Sequence, residues 1–231
     1  VLAPANPRPA SVQEQIADSL TERQYHAELR KAIDDAARIG SAVIKGPFPV
    51  KRKYTAVKTN PATGESAMVQ EIKTRPASKR IDPWNFFPDP ACGETIHDGA
   101  YTFERDFITE KKLAALKGGE GPAAYFDDQI DACIDEGPDK KNHSDTRLFV
   151  PNNEHSKRNV FEIWYCYVDM PAKEVEAAGI KLEDERDSLP VIATMVNDRV
   201  IKLALNPIED GEFPYDVMPW RRKAGMPWGD G

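Results

Sequence analysis

Apolar residues in the first forty positions recur at helical spacing, in two sets. Val12, Ile16 and Leu20 repeat every four residues behind Ser11, which stands three before Glu14 as in a capping box. Tyr25, Leu29, Ile33 and Ala36 repeat at four, four and three. At about 100° per residue the two sets face directions about 145° apart, so either a break near Thr21 or a sandwiched helix is expected. Thr21 with Gln24 repeats the capping spacing, and Gly40 supplies a C-terminal stop. Pro4, Pro7 and Pro9 make residues 1–10 an extended lead-in.

From Ser41 the period changes to that of strands. Ala42–Phe48, Val50–Lys58 and Ala67–Thr74 predict β-structure, the last two forming a hairpin around Asn60-Pro61-Ala62-Thr63-Gly64. Lys51, Arg52, Lys53, Lys58 and Lys73 make at least one hairpin face wet and basic, which reads as solvated surface or as a phosphate contact. Ile81–Pro90, IDPWNFFPDP, places three prolines and three aromatics in ten residues. It predicts a pinned irregular loop with Trp84, Phe86 and Phe87 driven into pockets. Ala100–Ile108 alternates, with Tyr101, Phe103 and Phe107 on one side and Thr102, Glu104 and Asp106 on the other, as in a half-buried strand.

Two helices are predicted next. Glu110–Lys117 follows Thr109 as a cap and stops at Gly118-Gly119, and Pro122–Glu136 has Ala123, Phe126, Ile130, Cys133 and Ile134 on its apolar side. Residues 137–158 read as an exposed polar insertion. Val160–Val168, including Trp164, is apolar on both alternating faces except at Glu162 and predicts a central strand. A short helix, Ala172–Ala178, and a charged loop, Leu182–Ser188, lead to a hairpin of Val191–Val196 and Arg199–Leu205 across Asn197-Asp198. The closing words FPYDVMPWRRKAGMPWGDG predict a second pinned irregular segment, anchored by Phe213, Tyr215, Trp220 and Trp228. The pattern as a whole predicts an α+β fold: N-terminal helices, then a mostly antiparallel mixed sheet with short inserted helices. Residues 1–40 are expected to form a helical segment and 41–231 the α+β domain.

Composition narrows the functions open to such a chain. Its 231 residues carry 31 Lys and Arg against 38 Asp and Glu, a formal net charge of −7, with 40% hydrophobic residues. A folded domain is expected, and a broad basic grip on nucleic acid is not. No apolar run approaches the ~20 residues of a membrane span, so no membrane partner is expected. Cys92, Cys133 and Cys166 are an odd number without a CxxC pair, which suits buried thiols better than disulfides or a zinc knuckle. Beginning at Val1 and stopping beside an aromatic motif, the chain reads as a piece of a longer polypeptide.

Catalytic patterns are missing from the sequence. Asp127, Asp128, Asp131 and Asp135 suggest metal ligands only superficially, since three of them form the polar stripe that the helix needs. His97 beside Asp98 forms no HExxH or HxH motif, and GxSxG, GxxxxGK[ST] and GxGxxG do not occur. No catalytic, cofactor-binding or metal-binding residue is assigned. Trp220-Arg221-Arg222-Lys223 is the best phosphate candidate, set against a salt-bridged interface reading. The aromatic loops read as pocket fillers, with base stacking as the alternative.

In their order, RIGSAVIKGP (Arg38–Pro47), IDPWNFFPDPAC (Ile81–Cys92), HDGAYTFERDFIT, FEIWYCYVD, VIATMVNDRVIKL and FPYDVMPWRRKAGMPWGDG resemble the portal protein, or head-to-tail connector, of tailed bacteriophages, most like those of short-tailed podoviruses. The resemblance runs from Arg38 onward. It implies a non-enzymatic subunit of a dodecameric ring at a capsid vertex of the virion, assembled in the bacterial host cytoplasm. Its implied partners are other portal subunits, capsid and scaffolding proteins, and double-stranded DNA in passage. The stem and clip of the family, which meet terminase and tail adaptor, would follow the Trp-Gly motif, so this chain resembles the wing. Under that resemblance Trp84, Phe86, Phe87, Trp164, Phe213, Tyr215, Trp220 and Trp228 are structural anchors. A single-strand nucleic-acid-binding module and a metal-dependent hydrolase are the alternatives.

Overall fold

A computed structural model describes residues 25–59, 66–119, 121, 123–138, 160–177, 187–208 and 212–231. The expected helix over Val12–Leu20, the Thr21 break, the Asn60–Gly64 turn, nearly all of the 137–158 insertion and most of the Leu182–Ser188 loop lie outside them. In chain order the elements are α1 (Tyr25–Ile39), β1 (Ser41–Thr59), β2 (Ser66–Ile81), β3 (Phe86–Pro88), β4 (Tyr101–Thr109), α2 (Glu110–Ala114), α3 (Asp127–Glu136), β5 (Val160–Pro171), α4 (Ala172–Ala177), β6 (Ser188–Val196), β7 (Arg199–Leu205) and β8 (Tyr215–Pro219). The fold is α+β, a helix followed by antiparallel sheets.

The chain divides into two compact units. One comprises residues 1–83, 214–222 and 228–231; the other comprises 84–213 and 223–227. Helix α1 packs on the sheet that follows it. Ala32 and Ala36 on α1 pack with Ala42 and Ile44 of β1, joined by Leu29 and Met218. Ile33, assigned by spacing to the buried face, is instead half exposed. The face that meets the sheet is the one whose alanines let backbone approach backbone.

The first unit holds a three-stranded antiparallel sheet in the order β2-β1-β8. Ser41–Lys45 lies opposite β8 from Pro219 to Tyr215, and Val43–Lys45 within it also pairs with β2. The pairing with β2 shifts register between Lys45 and Phe48, and beyond that shift β1 and β2 continue as a two-stranded ribbon to Thr59 opposite Ser66. The three short strands expected here are therefore two long ones. Pro76 stands within β2, which tolerates it as an edge strand.

In the second unit the sheet runs β3-β4-β5-β6-β7, entirely antiparallel, with β5 central as its apolar sequence predicts. Phe161, Ile163, Val196 and Ile201 pack on one face against Leu113 of α2 and Ile130 and Cys133 of α3. Val175 of α4 meets Cys166, Val191, Ala193 and Leu203 on the other. Asn197 and Asp198 turn the β6–β7 hairpin with φ of 50° and 61°, the left-handed pair that a tight two-residue turn requires. Helix α3 starts at Asp127 rather than Pro122; Phe126 is its N-cap, and its backbone N–H donates to the Ile201 carbonyl. Among the described residues no helix is long and apolar enough to cross a membrane.

Candidate functional site

The first aromatic–proline segment is more ordered than its composition suggests. Pro83–Asn85 makes one 3-10 turn, and Phe86–Pro88 pairs with β4 as a strand. Phe86 is 2% exposed and anchors the segment. Trp84 does not: it lies in the turn ahead of β3 and is 53% exposed. Phe87, on the opposite face of β3 from Phe86, is also partly exposed, and its ring centre lies 5.5 Å from that of Trp164.

Between these rings stands Arg105, on β4 directly opposite Trp164 of β5. Its guanidinium carbon is 5.8 Å from the ring centres of Phe87 and Phe107 and 5.9 Å from that of Trp164. Nη2 and Nε donate to Oδ1 of Asn85 at 2.8 and 3.1 Å. Phe103, next along the same face, packs with the Cys166 and Val175 cluster and stacks on Tyr101 with ring centres 4.7 Å apart. A planar cation among π faces is held in register by the rings and by one amide oxygen. Neither Arg105 nor Asn85 belongs to the anchors read from sequence. The two-residue period places Arg105 among the aromatics of β4, so the signal for it is present.

The other face of β4 inverts the expectation that its polar side is the wet one. Thr102 and Glu104 are buried at 0% and 2% exposure, while Tyr101, Phe103 and Phe107 are only half-buried. Register aligns Glu104 with Tyr165, Thr194 and Lys202 in one row across four strands. Burial raises the Tyr165 phenol well above its ordinary range and lowers the Lys202 ammonium, whose Nζ lies 5.0 Å over the Tyr125 ring. Burial thus keeps the Tyr165 phenol protonated at neutral pH and makes the Lys202 ammonium easier to deprotonate than an exposed lysine.

The second aromatic–proline segment contains strand β8 where an irregular run is expected. Tyr215 is its buried anchor, covered by the Lys45 ammonium 4.9 Å from the ring centre. Trp220 is 57% exposed, contrary to its assignment as an anchor; it is the backbone that is held, its N–H donating to the Gly40 carbonyl at 2.8 Å. Trp228 is half-buried, next to Gly229, whose N–H donates to Ser41 Oγ at 2.8 Å. Gly40, with φ of +87°, has no room for a side chain: a Cβ there would overlap the backbone of Gly229–Gly231. Phe213 stacks on His97, 6.1 Å between centres. His97 sits in a 3-10 turn rather than on a strand, and its buried Nδ1 finds no hydrogen-bond partner among the described residues.

The acidic helix and the thiols are each accounted for singly. Asp131 pairs with Lys117 at 2.5 Å, Asp127 accepts from the Gly118 N–H, and Glu136 pairs with Arg199. Among the described residues no group of three or more His, Cys, Asp and Glu converges as a metal site would. Burial raises the thiols of Cys92, Cys133 and Cys166, the last to about 11, so none is a ready nucleophile at neutral pH. No known protein-family model matches the chain.

Proposed function

We propose that this chain is the wing part of a portal-ring subunit, a non-enzymatic element of a DNA conduit at a phage capsid vertex. The observation that carries the reading is the order of its unusual sequence words, from RIGSAVIKGP to MPWGDG. The fold supports it by giving those words structural work: Phe86 and Tyr215 are buried, and the final glycines bind back to Gly40 and Ser41. Its partners are then other portal subunits in a dodecameric ring, capsid and scaffolding proteins, and double-stranded DNA in passage. Terminase and tail adaptor would meet regions beyond this chain. A modest net negative charge suits a conduit, since each phosphate neutralised would add binding that a packaging motor must break. Negative-stain microscopy with native mass determination on the full-length parent chain tests this: rings of about a dozen subunits are expected, and a stable monomer overturns it.

The half-exposed face around Arg105 favours one second reading, a single-strand nucleic-acid-binding module that stacks bases on Phe87 and Trp164. Fluorescence anisotropy with a labelled oligonucleotide separates the two, and no binding at low salt removes this one.

A further inference from the structure

We propose that Lys202 is a site for covalent capture of small aldehydes, its ε-amine presented by a bulge in β7 beside the Tyr125 ring. Pairing between β6 and β7 sets Val196 opposite Arg199, Met195 opposite Val200 and Thr194 opposite Lys202. Ile201 is therefore the extra residue of β7, and the alternation of the strand breaks there. It is fully buried with Phe161, Ile163 and Val196 on the face that α2 and α3 cover. Regular alternation would send Lys202 to the opposite face from Ile201. The bulge brings it round to the same face, opposite Thr194. The Ile201 carbonyl accepts from the Phe126 N–H at 2.8 Å, which ties the bulge to the loop that carries Tyr125.

What the amine meets on that face selects its ligand. Its Nζ lies 5.0 Å over the Tyr125 ring, and its cross-strand neighbour Thr194, 1% exposed, offers a hydroxyl. No carboxylate pairs with it among the described residues, whereas Lys31 has Glu28 and Lys117 has Asp131. Half-buried without a counter-ion, the side chain favours its free amine over its ammonium. An anion would need the charged form; a carbonyl carbon needs the neutral one, the form these surroundings favour. The Nζ lone pair adds to the carbonyl carbon and an imine forms. The carbonyl oxygen leaves as water with the two protons lost by the nitrogen, and no oxidant or reductant enters. Strand β7 is an edge strand, so a small molecule reaches the amine from the side of the sheet. The assignment rests on neither the portal reading nor the nucleic-acid one.

The test treats the 231-residue chain at neutral pH with benzaldehyde and cyanoborohydride, which reduces the imine to a stable secondary amine, and locates the label by mass after proteolysis. Lys202 should be labelled several-fold faster than the exposed Lys111 and Lys112, and the lead should vanish in urea. Lys202→Arg, which keeps the charge, should abolish the fast label with unchanged circular dichroism. Tyr125→Leu, which removes the phenol ring beside the amine, should slow labelling at Lys202 and leave Lys111 and Lys112 as they were. A Lys202 that is labelled no faster than Lys111 and Lys112, or that leads only after unfolding, overturns the proposal. So does inorganic phosphate that shields Lys202 from benzaldehyde and raises the melting temperature of the parent chain but not of Lys202→Arg, the behaviour of an anion site.

Discussion

The Arg80 guanidinium donates to both carboxylate oxygens of Asp35, with Nη2 2.8 Å from Oδ1 and Nε on Oδ2, and so ties the end of β2 to α1. The side chains are 27% and 14% exposed, which places the pair between a solvated ion pair and a buried one. Asp35→Ala should cost on the order of 1 to 3 kcal/mol, as loss of hydrogen bonds to a charged group does. Arg80→Lys, which keeps the charge and loses the fork, should lose part of that. Denaturant melts of both variants and of the double mutant check the coupling.

Glu28 joins the same corner, accepting from Lys31 Nζ at 2.6 Å and from the Arg80 N–H at 2.9 Å. Burial acts to raise its carboxyl, but these bonds and the two positive charges outweigh it, and the net shift is downward. A carboxyl lowered on folding stabilises above its unfolded pKa and loses that contribution as pH falls through the folded one. Melting temperature should therefore drop from the ordinary carboxylate range downward, and the drop should be shallower in Glu28→Gln.

The tryptophans divide by environment. Trp164→Ala should cost about 2 to 4 kcal/mol, since its ring packs against Phe87 and Arg105 within the sheet. Trp84→Ala, at a half-exposed ring, should stay within about 1 kcal/mol. Equal shifts in denaturation midpoint for the two variants would contradict this placement.

Gly40→Ala should be among the most damaging small substitutions. The added methyl meets the backbone of Gly229–Gly231 at a left-handed φ. A loss above about 2 kcal/mol is expected, together with faster proteolysis after Trp220. Gly93→Ala is the control for φ alone, since nothing lies within 4 Å of its added methyl.

Native thiol labelling should be slow at neutral pH for all three cysteines and rapid after unfolding. Cys133 Sγ lies 3.4 Å from the Val196 carbonyl in the core, and the thiols of all three are raised by burial. A fast-reacting native thiol, detected by mass after iodoacetamide, would place that cysteine outside the core.

Strand β5 is legible because VFEIWYCYV is apolar on both faces, and Asn197-Asp198 because few residue pairs accept two positive φ values. Strands β3 and β8 are hidden inside proline-rich words; three and five residues carry little period, and β8 pairs with a strand more than 170 positions earlier. Alternation in β4 separates its two faces correctly but does not say which one α2 and α3 cover, since those helices come later in the chain. Nor does an aromatic between prolines specify a pocket, as Trp84 and Trp220 demonstrate. Of the candidate site, the face holding Arg105 was readable from period two; its contact with Asn85 depends on a turn that the sequence does not announce.

Val43 pairs with Ile81 on one side and Val217 on the other. The chain thus leaves the small sheet and returns to it across a single strand, a gap of about 10 Å at ordinary strand spacing. Most of the second unit is built between those two points, so the bulk of it is carried as one insertion whose ends lie on either side of one strand. A bridge of a few residues would suffice to join β2 to β8 in a shortened chain.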